Sequence, residues 1–115
     1  MERIELYKFD AAHISISIGL YFNKEGQLIF DGYDRGKRVE YALGDSDYEY
    51  QYIIEPLEVE KLYTAVGVDQ GDRKALLLEL KKRFGKNSAF SDFGKFMSEN
   101  NIDFLLEERF LKARH

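Results

Sequence analysis

Cysteine is absent from this 115-residue chain, tryptophan is absent, and proline occurs once, as Pro56. Without cysteine the fold can use no disulfide, no thiolate nucleophile and no sulfur-ligated metal. One proline argues against long Pro-rich linkers. Histidine is scarce too, present only as His13 and the terminal His115. His13 opens an expected strand with no local Ser or Asp partner pattern, so a histidine-based catalytic set is hard to assemble. Neither GxGxxG nor GxxxxGK[ST] occurs, which removes the common phosphate cradles. No window approaches the ~18–20 apolar residues that cross a bilayer. The opening "MERIELYKFD" is too densely charged for a signal peptide. A cytoplasmic location is the expectation.

What is present fits one globular domain with a single core. The hydrophobic fraction of 44% and charged fraction of 33% suit a folded chain rather than a disordered one. The net charge of −4 is unevenly spread. Residues 31–60 carry the acids Asp31, Asp34, Glu40, Asp45, Asp47, Glu49, Glu55, Glu58 and Glu60 against Arg35, Lys37 and Arg38. Such a block repels phosphate and attracts basic proteins. Solvated surface charge is the simpler alternative.

The periodicity gives strands first and helices later. "HISISIGLYF" places Ile14, Ile16, Ile18, Leu20 and Phe22 on one side, the mark of a half-buried strand. "NKEG" is a turn, and "QLIFDGY" returns to complete a hairpin. "RIELYKF" adds a strand, with Ile4, Leu6 and Lys8 on one side. Residues 35–44 are a connection with room for a helical turn. Residues 47–54 form a further strand, with Tyr48, Tyr50, Tyr52 and Ile54 on one face. Past Pro56, Val59, Leu62, Tyr63 and Val66 recur at helical spacing up to Gly67. A second helix has Asp72 as N-cap and Leu76, Leu77, Leu80 and Phe84 as its stripe. A third carries Phe90, Phe93, Phe96 and Met97. Residues 102–111 fit either period, and helix propensity favours a helix. The expected fold is α+β: an antiparallel sheet of about four strands from the N-terminal half, covered by C-terminal helices.

Chemistry-bearing motifs are few. "DSDYE", residues 45–49, begins like a calcium loop, but Tyr50 and Pro56 stand where the glycine and the bidentate glutamate belong. No metal or cofactor is expected. "KKRFGK", residues 81–86, could touch RNA, yet its cations fall in a last helical turn, where they oppose the macrodipole. In "GDSDYEYQY" the tyrosines are expected to pack and the acids to face outward. Tyrosine also suits interfaces, since it joins apolar area to a polar tip.

The stretch "IFDGYDRGKRVEYALGDSDYEYQYIIEPLEVEKLY", residues 29–63, resembles small bacterial immunity proteins of polymorphic and contact-dependent growth-inhibition toxin systems. "FDGYDRG" and "GDSDYEY" carry the resemblance, and "FSDFGKFMSENNI" fits more loosely. It implies a non-enzymatic cytoplasmic partner of a cognate toxin C-terminal domain. That toxin is expected to be a basic nuclease, with EndoU-like ribonucleases among the candidates. Neutralisation would come by covering its active site or substrate groove. Asp31, Tyr33, Asp34, Asp45, Asp47, Tyr48 and Glu49 are the expected toxin contacts, with no direct nucleic-acid or membrane binding. The competing reading is an acidic adaptor module with no toxin partner.

Overall fold

A computed structural model describes residues 2–36 and 47–111. Five strands form one antiparallel sheet in sequence order: β1 (Ile4–Ala11), β2 (Ile14–Phe22), β3 (Leu28–Arg35), β4 (Asp47–Ile54) and β5 (Leu105–Leu111). Between β4 and β5 the chain forms α1 (Pro56–Val66), α2 (Arg73–Phe84) and α3 (Ala89–Glu99). The helices lie on one face of the sheet, and among the described residues no helix covers the other, open face. The protein is thus α+β, as its periodicity predicts, with one strand more than the alternation suggests. The expected connection at 35–44 falls outside the described residues beyond Gly36.

Alternation decides which side chains the helices cover. Ile18, Leu20, Phe22, Leu28, Phe30, Tyr50, Tyr52 and Ile54 are buried on the helix side of the sheet. They meet Val59, Leu62, Tyr63 and Val66 of α1, Leu76, Leu77, Leu80 and Phe84 of α2, and Phe93 and Met97 of α3. Aromatic contacts fix the docking. Phe30 stacks on Phe93 with ring centroids 4.4 Å apart, and Tyr52 stacks on Phe90 at 3.9 Å. The turn after β2 is held by Asn23, whose side-chain oxygen accepts from the backbone N–H groups of Glu25 and Gln27. Gly26 takes φ 78° there. Asp72 caps α2 by accepting from the Ala75 N–H at 3.1 Å.

Two expectations need correction. Residues 105–111 are a strand, not a helix. The physical reason lies just upstream, where Asn101 adopts φ 56°. Its N–H reaches the Ser98 carbonyl, and the Ile102 N–H reaches that of Met97 at 2.9 Å. This is a Schellman closure, with buried Ile102 sealing it. Glu58 then accepts from the Asp103 N–H at 2.7 Å, steering the chain back beside β4. That bond, with Lys61 beside it, holds the Glu58 carboxyl below its usual range. The second correction concerns β1. Its register against β2 shifts between Glu5 and Tyr7. This bulge at Leu6 moves Tyr7 to the helix side, opposite Ile18, and Lys8 to the open side, opposite Ser17.

Phe30 is fully buried at the centre of the aromatic contacts. Phe30→Ala should cost about 3–5 kcal/mol in urea unfolding; a loss below about 1 kcal/mol would show that the stack does not anchor the helical layer.

Candidate functional site

The β3–β4 ladder brings the expected contact residues to one end of the sheet but divides them between its faces. Its register sets Asp31 opposite Gln51, Tyr33 opposite Glu49, Asp34 opposite Tyr48, and Arg35 opposite Asp47. Asp31, Tyr33, Asp47 and Glu49 therefore occupy the open face, and Asp34 and Tyr48 the helix side. All six are half-buried. Asp45 lies outside the described residues.

The open face is organised in cross-strand rows. One runs Glu5, Gly19, Asp31, Gln51 and Glu107; the next runs Lys8, Ser17, Tyr33, Glu49 and Arg109. Between them lies a hollow of about 340 Å³ lined by Asp31, Tyr33, Glu49, Gln51, Glu107 and Arg109. Two acids of this face, Asp31 in the hollow and Asp47 beyond it, have cationic neighbours. The Arg3 guanidinium crosses Gly19, where any Cβ would collide with it, and donates to Asp31 at 2.8 Å. Arg35 lies 3.9 Å from Asp47. Such exposed pairs contribute only ~0–1 kcal/mol each, but they hold the carboxylates in place. Burial and the Asp47 carboxylate at its hydroxyl raise the Tyr33 pKa. Glu49 and Glu107 make no ion pair within 4.0 Å among the described residues, and Glu107 accepts from the Gln51 side-chain amide at 3.4 Å.

Asp34 and Tyr48 belong to a different arrangement. The Tyr50 ring lies flat across Gly32, filling the space a side chain there would take. From that position its hydroxyl donates to Asp34 at 2.7 Å. Phe90 closes on the same ring edge-on at 4.5 Å. Tyr48 packs at 4.9 Å from Tyr50 and donates to Glu108 at 2.9 Å. Burial first, and then its carboxylate acceptor, push Tyr48 up to about 12 and raise Tyr50 further. Burial also raises Asp34, against the opposing effect of the Tyr50 hydrogen bond. Each shift favours the uncharged form, so both phenols stay protonated near neutrality as hydrogen-bond donors.

The sequence reading omitted Arg3, Gln51, Glu107 and Arg109 from this region. The last two were legible only as strand alternation in "LLEERFL". His13 sits exposed in the β1–β2 turn, with no catalytic partner on its hydrogen-bond network among the described residues. Among those residues no three His, Asp or Glu side chains converge as metal ligands would, and no helix is long and apolar enough to cross a membrane. Comparison with protein-family models, with curated proteins and with solved structures finds no match to this chain.

Two outcomes follow from the tyrosine–carboxylate cluster. A phenol whose folded pKa is raised stabilises the fold below its ordinary value of 10.0, and this is lost as pH rises through its folded value, about 12 for Tyr48. Urea stability should therefore fall above pH 10.0, and Tyr48→Phe should remove part of that fall. Superimposable alkaline profiles for parent and variant would contradict this. The raised Asp34 pKa likewise stabilises the fold at acid pH and ceases to do so as the carboxyl ionises. Asp34→Asn keeps an acceptor for Tyr50 and cannot ionise, so its stability at neutral pH should match or exceed the parent's. Asp34→Ala strands the Tyr50 hydroxyl and should cost about 1–3 kcal/mol.

Proposed function

We propose that this chain is an immunity protein: a binding protein that neutralises a cognate secreted toxin by stoichiometric occlusion, without turnover. The observation that carries the reading is the open sheet face, where Tyr33 and Glu49 stand opposite each other between Asp31 and Asp47. The resemblance of residues 29–63 to immunity proteins names the kind of partner, a basic nuclease domain met in the cytoplasm. EndoU-like ribonucleases are one class within that proposal.

The mechanism follows from the partner's chemistry. A nuclease needs a positive groove for its phosphate substrate, and carboxylates can satisfy the same cations. Glu49 and Glu107 meet those cations directly. Asp31 and Asp47, already held by Arg3 and Arg35, have less side-chain freedom left to lose on docking. Tyr33 supplies apolar area with a polar tip at the centre. The arginines on the same face discriminate, since a misaligned cationic partner meets like charge. On this reading Asp34 and Tyr48 hold the shape of the β3–β4 end and make no toxin contact. The internal pairing of Asp31 and Asp47 is the observation that favours the second reading, an adaptor for a mixed-charge partner with no toxin involved. A pull-down from the native host separates the two by what it retains.

The test is whether the neighbouring reading frame encodes a toxic C-terminal domain, then co-expression with that domain and direct binding at low salt. Reversing Asp47 and Glu49 to lysine should weaken binding roughly tenfold or more (about 1.4 kcal/mol) and abolish rescue of growth. The pair Asp34→Asn and Tyr48→Phe should leave both unchanged. Full affinity in the folded lysine variant would remove this face from the interface.

A further inference from the structure

The two edges of the sheet are not alike. β1 is interrupted by the bulge at Leu6 and carries Lys8 beyond it, features that discourage a neighbouring strand. β5 pairs with β4 without a register shift from Leu105 to Leu111, and no element pairs with its other side among the described residues. Leu105 and Leu106 on that strand are 57% and 45% exposed. A regular edge with exposed leucines is the kind of strand that recruits another.

The sequence of β5, "LLEERFL", is chemically self-complementary about Glu108. Laid antiparallel against a second copy with Glu108 opposite Glu108, it sets Glu107 opposite Arg109, Leu106 opposite Phe110, and Leu105 opposite Leu111. Opposite charges and apolar pairs that face each other across strands stabilise a sheet. Neighbouring registers lose this match. A one-residue slip in either direction sends the helices of the two copies to opposite sides of the sheet, and in one direction it also puts Glu107 opposite Glu108 and Leu106 opposite Arg109. Centring the pairing on Arg109 sets Glu107 against Leu111 and Glu108 against Phe110. The like charges at the two-fold axis are the one unfavourable pair, and each Glu108 carboxylate there is already held by the Tyr48 hydroxyl at 2.9 Å.

We infer that β5 is a self-association edge: two copies of this chain pair antiparallel through Leu105–Leu111 about a two-fold axis at Glu108, joining their sheets into one. Such an isologous contact closes on itself and leaves the bulged β1 edges outermost. The inference does not depend on the toxin reading, because it is measured on the purified chain alone.

Sedimentation of the full chain over a concentration series should show a monomer–dimer equilibrium. Glu107→Arg or Arg109→Glu alone places like charges opposite each other at both symmetric positions and should weaken the dimer about tenfold or more. The double variant Glu107→Arg with Arg109→Glu restores complementarity and should recover it. Glu108→Gln removes the repulsion at the axis and should tighten it. The absence of native cysteine permits a sharper test. Residues paired across antiparallel strands have Cα atoms about 4.5–5.5 Å apart, within disulfide range. Glu108→Cys should therefore cross-link under mild oxidation, while Lys74→Cys, exposed on α2, should not. A chain monomeric at every concentration overturns the inference. So does a dimer in which Glu108→Cys cross-links no better than Lys74→Cys, or in which the double variant fails to recover association.

Discussion

Stacking of Phe30 on Phe93 and of Tyr52 on Phe90 ties the helical layer to the two middle strands of the hairpin ladder. These contacts join elements far apart in sequence, and they commit the sheet to one covered face. Every strand must then send alternate residues toward the helices and the rest toward the open side. The division of the sheet into a helix-covered side and an open side is a consequence of that single docking. Apolar burial supplies the free energy, and the aromatic geometry supplies the orientation.

The same alternation explains why a compact acidic stretch of sequence becomes two separate arrangements. Neighbours in the chain, Tyr33 and Asp34, point to opposite sides of the sheet, and so do Tyr48 and Glu49. On the helix side, Tyr50 crosses Gly32 and binds Asp34, while Tyr48 binds Glu108. These carboxylates serve as acceptors for buried phenols. On the open side, Asp31 stands beside Arg3, from ahead of β1, and Asp47 beside Arg35, from within the stretch itself. A charge count over residues 31–60 therefore overstates how much negative potential the open face offers. What that face presents is a patterned surface with acid and base in adjoining rows.

Much of the fold was legible because single residues declared their role locally. Asp72 precedes a helical stripe and caps it; Gly67 and Gly26 stand where the chain needs positive φ. Ile14, Ile16, Ile18, Leu20 and Phe22 alternate so cleanly that only a half-buried strand can satisfy them. The misses share a different cause. Leu6 lies at a bulge, which leaves no trace in a pattern of twos until the partner strand is in place. Residues 105–111 contain leucines and glutamates that favour a helix in isolation, but the Asn101 closure and the Glu58 contact with Asp103 hand the chain to β4 as a strand. Arg3 could not be linked to Asp31 because it precedes β1, which reaches β3 only through β2.

By itself the sequence determined which segments alternate and which recur at helical spacing, where the turns fall, and that no thiol takes part in this protein's chemistry. Those properties are set by residues a few positions apart, so local sterics and solvation suffice to fix them. The tertiary structure alone decided which face of each strand the helices cover, that β5 pairs at the sheet's edge, and which carboxylates meet a tyrosine, an arginine or solvent. Those outcomes depend on strand register, and register is settled only when distant segments bury their apolar faces together.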